Sequence, residues 1–147
     1  KIKGVDVVLQ GLWKFGNDWV FDSRLSYTYQ KAQDFTDKSD KDTYGGQISY
    51  IPWHSGSAIL NAGYKSWELN YSFIYTGERY DVSANTPENY RLPWYTSDFS
   101  LAKKFSWRKY DFKLTLEVNN IFNQQYEVVR SYPMPGTNFK FILNLTI

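Results

Sequence analysis

His54 is the only histidine of the chain, and it stands between Trp53 and the serines Ser55 and Ser57. Histidine beside serine is the starting material of nucleophilic catalysis, but a serine nucleophile needs a base that a third group holds in place. No third group can be placed for His54, so a lipid-acting barrel enzyme is a distant reading and no catalytic residue is assigned. A lone histidine without cysteine or a neighbouring carboxylate is also a poor metal site, and neither metal nor cofactor is expected. His54 reads instead as a turn or interface residue at a loop–strand junction. Tyr80, Asp81, Tyr90, Arg91, Arg130 and Tyr132 fall in loop-like segments. Aromatic and Arg groups on loops commonly anchor ligands, so these are the candidate solute contacts. A third set, Asp22, Asp98, Asp111 and Glu117, alternates with apolar neighbours. That spacing puts the carboxylates on one polar wall, where they contact an inner partner, line a solute path or are simply solvated.

Strands must position these groups. In residues 19–30, Trp19, Phe21, Leu25, Tyr27 and Tyr29 oppose Asp22, Arg24, Ser26, Thr28 and Gln30. In residues 67–77, Trp67, Leu69, Tyr71, Phe73 and Tyr75 oppose Glu68, Asn70, Ser72 and Thr76, with Ile74 the exception. Within 110–122, Phe112, Leu114, Leu116 and Val118 oppose Asp111, Lys113, Thr115, Glu117 and Asn119. A period of two repeated in three segments is the strand signal. Weaker strands are predicted over residues 3–14, 48–64, 94–105 and 137–147, so the fold class is all-β with seven antiparallel strands.

Composition agrees with alternation. Aromatics are 20% of 147 residues, yet apolar residues reach only 42% and the mean hydropathy is −0.55. Large apolar side chains are therefore diluted by interleaved polar ones. No apolar run approaches the roughly 18 residues of a spanning helix, which excludes a helical membrane protein but not a membrane barrel. The net charge of +2 is scattered rather than gathered in a basic stripe, which argues against nucleic acid as a partner. Without cysteine there are no disulfides or thiolate metal sites. The opening residues lack a charged segment followed by an apolar one, so they are not expected to be an export signal.

The joints between strands alternate in length. Short ones lie near residues 15–18, 65–66 and 106–109, and long ones over 31–46, 80–93 and 123–136. Outer-membrane barrels show the same asymmetry, with short periplasmic turns and long extracellular loops. Trp13, Trp19, Tyr64, Trp67, Phe105, Trp107 and Tyr110 flank the short joints. Tyr29, Trp53, Tyr75, Trp94, Tyr95 and Phe122 lie toward the long ones. Two such bands match aromatic girdles at two membrane interfaces, with the apolar face outward and the polar face toward a lumen. A soluble β-barrel binding module, with the apolar face in a core, is the alternative from another class, and a passive porin-like or adhesion barrel is the alternative within membranes. Seven strands are odd in number, whereas single-chain bacterial barrels are even. The expectation is a sector of a larger barrel.

Several motifs resemble one family. Asn120-Ile121-Phe122-Asn123-Gln124-Gln125-Tyr126, followed by Tyr132-Pro133-Met134-Pro135-Gly136 and a final strand, resembles the carboxyl end of TonB-dependent outer-membrane receptors. Ile51–Gly56, Tyr75–Tyr80 and Leu92–Phe105 fall in the order and spacing of that family. The resemblance covers residues 48–147 in motifs and 1–47 only in general pattern. Thr137 stands where members often have Arg, and Ile147 where a terminal aromatic is common. The resemblance implies a 22-stranded barrel of which this chain supplies the last seven strands, without the plug domain, and a periplasmic carboxyl end. It implies energised uptake of a scarce solute, of siderophore, haem, cobalamin or glycan type, across the bacterial outer membrane. The partners it implies are membrane lipid, the rest of the barrel and its plug, the TonB complex, a surface lipoprotein and the small-molecule or glycan solute.

Overall fold

A computed structural model describes residues Lys1–Ile147. The strands are β1 (Ile2–Phe15), β2 (Trp19–Ala32), β3 (His54–Tyr64), β4 (Trp67–Thr76), β5 (Arg79–Tyr80), β6 (Tyr90–Arg91), β7 (Trp94–Trp107), β8 (Tyr110–Asn119), β9 (Glu127–Val129), β10 (Tyr132–Pro133) and β11 (Asn138–Thr146). Seven of them form one antiparallel sheet in the order β1-β2-β3-β4-β7-β8-β11. The other four make two small ribbons, β5 with β6 and β9 with β10, inside long loops. The only helical turn is the 3-10 segment Pro87–Asn89. The fold is all-β and antiparallel, and the sheet is open, as a sector of a barrel would be: β1 and β11 are each paired on one side only.

The register follows the alternation of the sequence. Leu69 pairs with Leu101, Tyr71 with Phe99 and Tyr75 with Tyr95, and the row continues through Leu101↔Leu116 and Leu116↔Phe141. Since neighbours across a ladder share a face, these residues form one continuous apolar surface. No second layer of the chain covers it. The buried apolar residues are only Ala32 and Ala102, while Phe139 and Phe141 are 71% and 69% exposed. The soluble module expected as an alternative would have needed this face to be its core.

Polar side chains form ladders of their own on the opposite face. Asn61 Nδ2 donates to Asp22 Oδ1 at 2.7 Å, and Asn70 Nδ2 donates to Asn61 Oδ1. Ser26 and Ser57 hydroxyls are 2.7 Å apart. Glu68 accepts from Lys113 at 2.6 Å and meets Lys104 at 2.5 Å, while Glu117 meets Lys140 at 3.8 Å. Such exposed pairs contribute about 0–1 kcal/mol each, so they order the wall more than they stabilise it.

Three strand ends depart from the sequence expectation. The third strand starts at His54 rather than at residue 48, because Pro52 has no N–H for the ladder and Tyr50 is left-handed at φ 60. The second runs on to Ala32. The sixth stops at Asn119, where Asn120 turns the chain at φ 51. The short joints hold as tight turns. Lys65 and Arg108, left-handed at φ 52 and 57, reverse the chain with the twist that hairpins favour.

Candidate functional site

Chemistry concentrates at the long-loop end, where three loops meet. Residues 33–53 join β2 to β3, 77–93 join β4 to β7, and 120–137 join β8 to β11. In the second loop the β5–β6 ribbon pairs Arg79 with Arg91 and Tyr80 with Tyr90. Tyr80 and Tyr90 meet edge to face at 5.7 Å, and burial, then Glu78, raises the Tyr90 phenol above its ordinary pKa.

Asp81 follows the ribbon and is 5% exposed. Its Oδ2 accepts from Arg91 Nε at 2.8 Å and Nη2 at 2.5 Å, and Arg130 Nη1 of the third loop lies 3.6 Å away. Arg79 reaches the same third loop, where its Nη2 donates to the carbonyls of Glu127 at 2.9 Å and Val128 at 3.1 Å. Burial pulls the Arg79 guanidinium below its ordinary pKa; Tyr50 works against that shift and Arg91 with it. The first loop joins through Tyr50, whose N–H donates to Tyr80 O at 2.7 Å and whose hydroxyl accepts from Arg130 N at 3.5 Å. Gln47 and Asn85 close the contact: Asn85 Nδ2 donates to Gln47 O at 3.0 Å, and Gln47 N donates back to Asn85 Oδ1 at 2.5 Å.

Beside this clasp lies a cavity of about 380 Å³ whose lining includes Tyr90, Arg91, Trp94, Gln125, Tyr126 and Glu127. Trp94 stacks on Tyr126 with ring centroids 4.5 Å apart. Burial raises the Tyr126 phenol above its ordinary pKa, and the Asp98 carboxylate adds to that. Trp53 Nε1, Arg79 Nη1, Asp81 Oδ1 and Trp94 Nε1 are buried and have no hydrogen-bond partner in the chain. All four lie at this end of the sheet and none on the polar wall. Guanidinium, carboxylate, carboxamide and indole N–H around an aromatic floor can bind a polar or ring-bearing solute. They hold no arrangement for covalent chemistry.

The structure therefore brings together Tyr80, Asp81, Tyr90, Arg91 and Arg130. Tyr132 stands apart in β10, 71% exposed, paired with Val129 through the backbone and without a side-chain hydrogen bond. Asp81 is a hub between arginines rather than an open contact. Sequence reasoning missed Arg79, Trp94, Gln125, Tyr126 and Glu127. No spacing marked Arg79; it joins the clasp through its pairing with Arg91 across the ribbon.

Elsewhere the candidate groups are tied into the wall. Asp98 Oδ1 accepts from Asn120 N at 2.7 Å, and Asp111 Oδ1 accepts from Ser106 Oγ at 2.6 Å. His54 Nδ1 lies 2.8 Å from the Tyr27 hydroxyl on the apolar face, whereas Ser55 and Ser57 point to the polar face by alternation along β3. Histidine and serines are thus on opposite sides of one strand. The Asn120 motif also has a physical meaning: the left-handed Asn120 donates to Gln124 O at 2.9 Å and Pro135 O at 3.2 Å, and its own carbonyl accepts from Thr137 Oγ1 at 2.7 Å. It staples the two ends of the third loop. A Cβ on Gly136 would come 2.5 Å from Asn123 Oδ1, the movable end of a side chain that would have to shift.

Comparison with known proteins returned no match among curated proteins. The family model described as TonB dependent receptor-like, beta-barrel matches residues 1–121. That span takes in β1 and β2, which the motifs reached only in general pattern, and it ends inside the Asn120 motif. With an open antiparallel sheet, one apolar and one polar face, and a match over most of its length, the chain belongs to the TonB-dependent receptor β-barrel family.

Proposed function

We propose that these strands are one sector of an outer-membrane receptor barrel that takes up a scarce solute with energy from the TonB complex. The apolar face meets membrane lipid, and the polar wall faces a lumen occupied by a plug. β1 and β11 pair with the rest of the barrel, which closes edges that lipid does not tolerate. The long-loop end lies outside the cell, and the short turns and the carboxyl end lie in the periplasm. The solute, a small molecule or glycan, enters at the cavity beside Arg91 and Trp94, and a surface lipoprotein is the partner expected at the same rim. No residue is assigned a covalent step.

One observation carries the solute site: the loop-end cavity sets Arg91, Gln125 and Glu127 beside the Trp94–Tyr126 stack, and Trp94 Nε1 is buried there without a partner in the chain. Buried groups of this kind are normally paired, at a cost of about 1–3 kcal/mol each when they are not. The test is uptake by cells carrying the intact receptor, with and without the TonB complex, and with Arg91→Ala or Trp94→Ala. Energised uptake predicts loss without TonB and a weakening of about tenfold or more in each variant. Uptake that persists without TonB makes the barrel a passive porin, and variants that leave uptake unchanged remove the cavity from the solute path.

A further inference from the structure

Cations are treated differently on the two faces of the same strands. On the polar wall of β7, β8 and β11, Lys104 and Lys113 both meet Glu68, and Lys140 meets Glu117. On the apolar face and in the β7–β8 turn, Lys103, Arg108 and Lys109 meet no carboxylate at all. Each lies instead against an aromatic ring. Lys103 Nζ is 4.3 Å from the Trp67 ring, the Arg108 guanidinium 5.1 Å from Trp107, and Lys109 Nζ 5.3 Å from Tyr110. Lys65 adds a fourth such pair, 5.1 Å over Tyr64, with Asp18 at 3.9 Å.

We infer that this short-turn rim binds the phosphate of an anionic glycerophospholipid, with Lys103, Arg108 and Lys109 supplying the charge. The inference rests on the membrane reading above. Trp67 and Trp107 are exposed on the apolar face, and amphipathic rings of this type settle at headgroup level. Directly beyond them the face turns apolar, with Phe105 stacked on Phe112 at 5.1 Å, as acyl chains require. A ring satisfies a cation only in part, because it carries no net charge. Lys103, Arg108 and Lys109 lack the carboxylate partner that the lysines of the polar wall have, and a headgroup phosphate in the same plane supplies it. Glycerophospholipid rather than a soluble anion is favoured because charge and exposed apolar surface adjoin.

The test uses the intact barrel in a neutral detergent, offered equal amounts of dioleoyl-phosphatidylglycerol and dioleoyl-phosphatidylcholine, with retained lipid counted by native mass spectrometry. The expected preference for phosphatidylglycerol is about fivefold per cation, and it fades near 0.5 M NaCl, where screening is short-ranged. K103Q/R108Q/K109Q loses the preference; K103R/R108K, which keeps the charge, retains it; K104Q/K113Q on the polar wall leaves it unchanged. Equal retention of both lipids by the unaltered barrel, or an unchanged preference in the triple variant, overturns the headgroup site alone. A barrel that retains neither lipid and stays monodisperse without detergent overturns the membrane reading with it.

Discussion

Asp81 shows how a residue can look like a ligand contact in sequence and act as a fastener in structure. Its carboxylate is enclosed and binds Arg91 of its own loop and Arg130 of the next. Removing that carboxylate takes away the charged hydrogen bonds to Arg91, at a cost of about 1.5–3 kcal/mol, while the half-exposed Arg130 is screened by solvent and loses little. Asp81→Ala should therefore release residues 79–91 and 127–130 together, seen as parallel loss of amide-exchange protection in both loops. Protection lost in only one of them would mean the clasp is not a unit. Tyr126 offers a pH readout at the same scale. Its phenol is raised by burial first and by Asp98 second. A raised folded value means its contribution is whole below the ordinary phenol pKa of about 10 and fades as pH climbs through the folded value. In an absorbance titration, Tyr126→Phe should delete a late-titrating phenol, and Asp98→Asn should move that phenol only partway back.

At the scale of elements, the apolar stripe on β8 makes the sharpest prediction. Leu116 sits between Leu101 and Phe141 in the middle of that stripe. Leu116→Lys should cost on the order of 2–4 kcal/mol at the midplane of a bilayer, measured by denaturant titration in lipid vesicles; a cost near zero would place the face in water. These strands were legible because each face meets one kind of surroundings over its whole length, which imposes a strict period of two. The start of β3 was misjudged for a related reason. Ile48 and Tyr50 continue the alternation, yet they belong to a loop whose backbone bonds to Ala32 and Tyr80. The cavity was not legible at all. Trp94 and Tyr126 lie far apart in the chain, and they stack only because the third loop folds back over the start of β7.

For the whole molecule, the sheet is a surface with no interior. Its two outer strands each leave a row of backbone groups unpaired, and such edges template further pairing. Produced alone in detergent, the chain should self-associate through β1 and β11, read as a mass above one copy by size-exclusion with light scattering. A clean monomer with protected edge amides would mean that the sheet needs no remainder of a barrel. The order of the strands has a kinetic consequence as well. Each long strand is bonded to the nearest long strand in sequence, so closing any pair spans one turn or one loop, and loop-closure entropy grows only slowly with that length. Growth can proceed as a zipper, each hairpin annealing to the margin left by the one before. A fault in one strand would then halt elongation at that point while leaving the earlier hairpins joined.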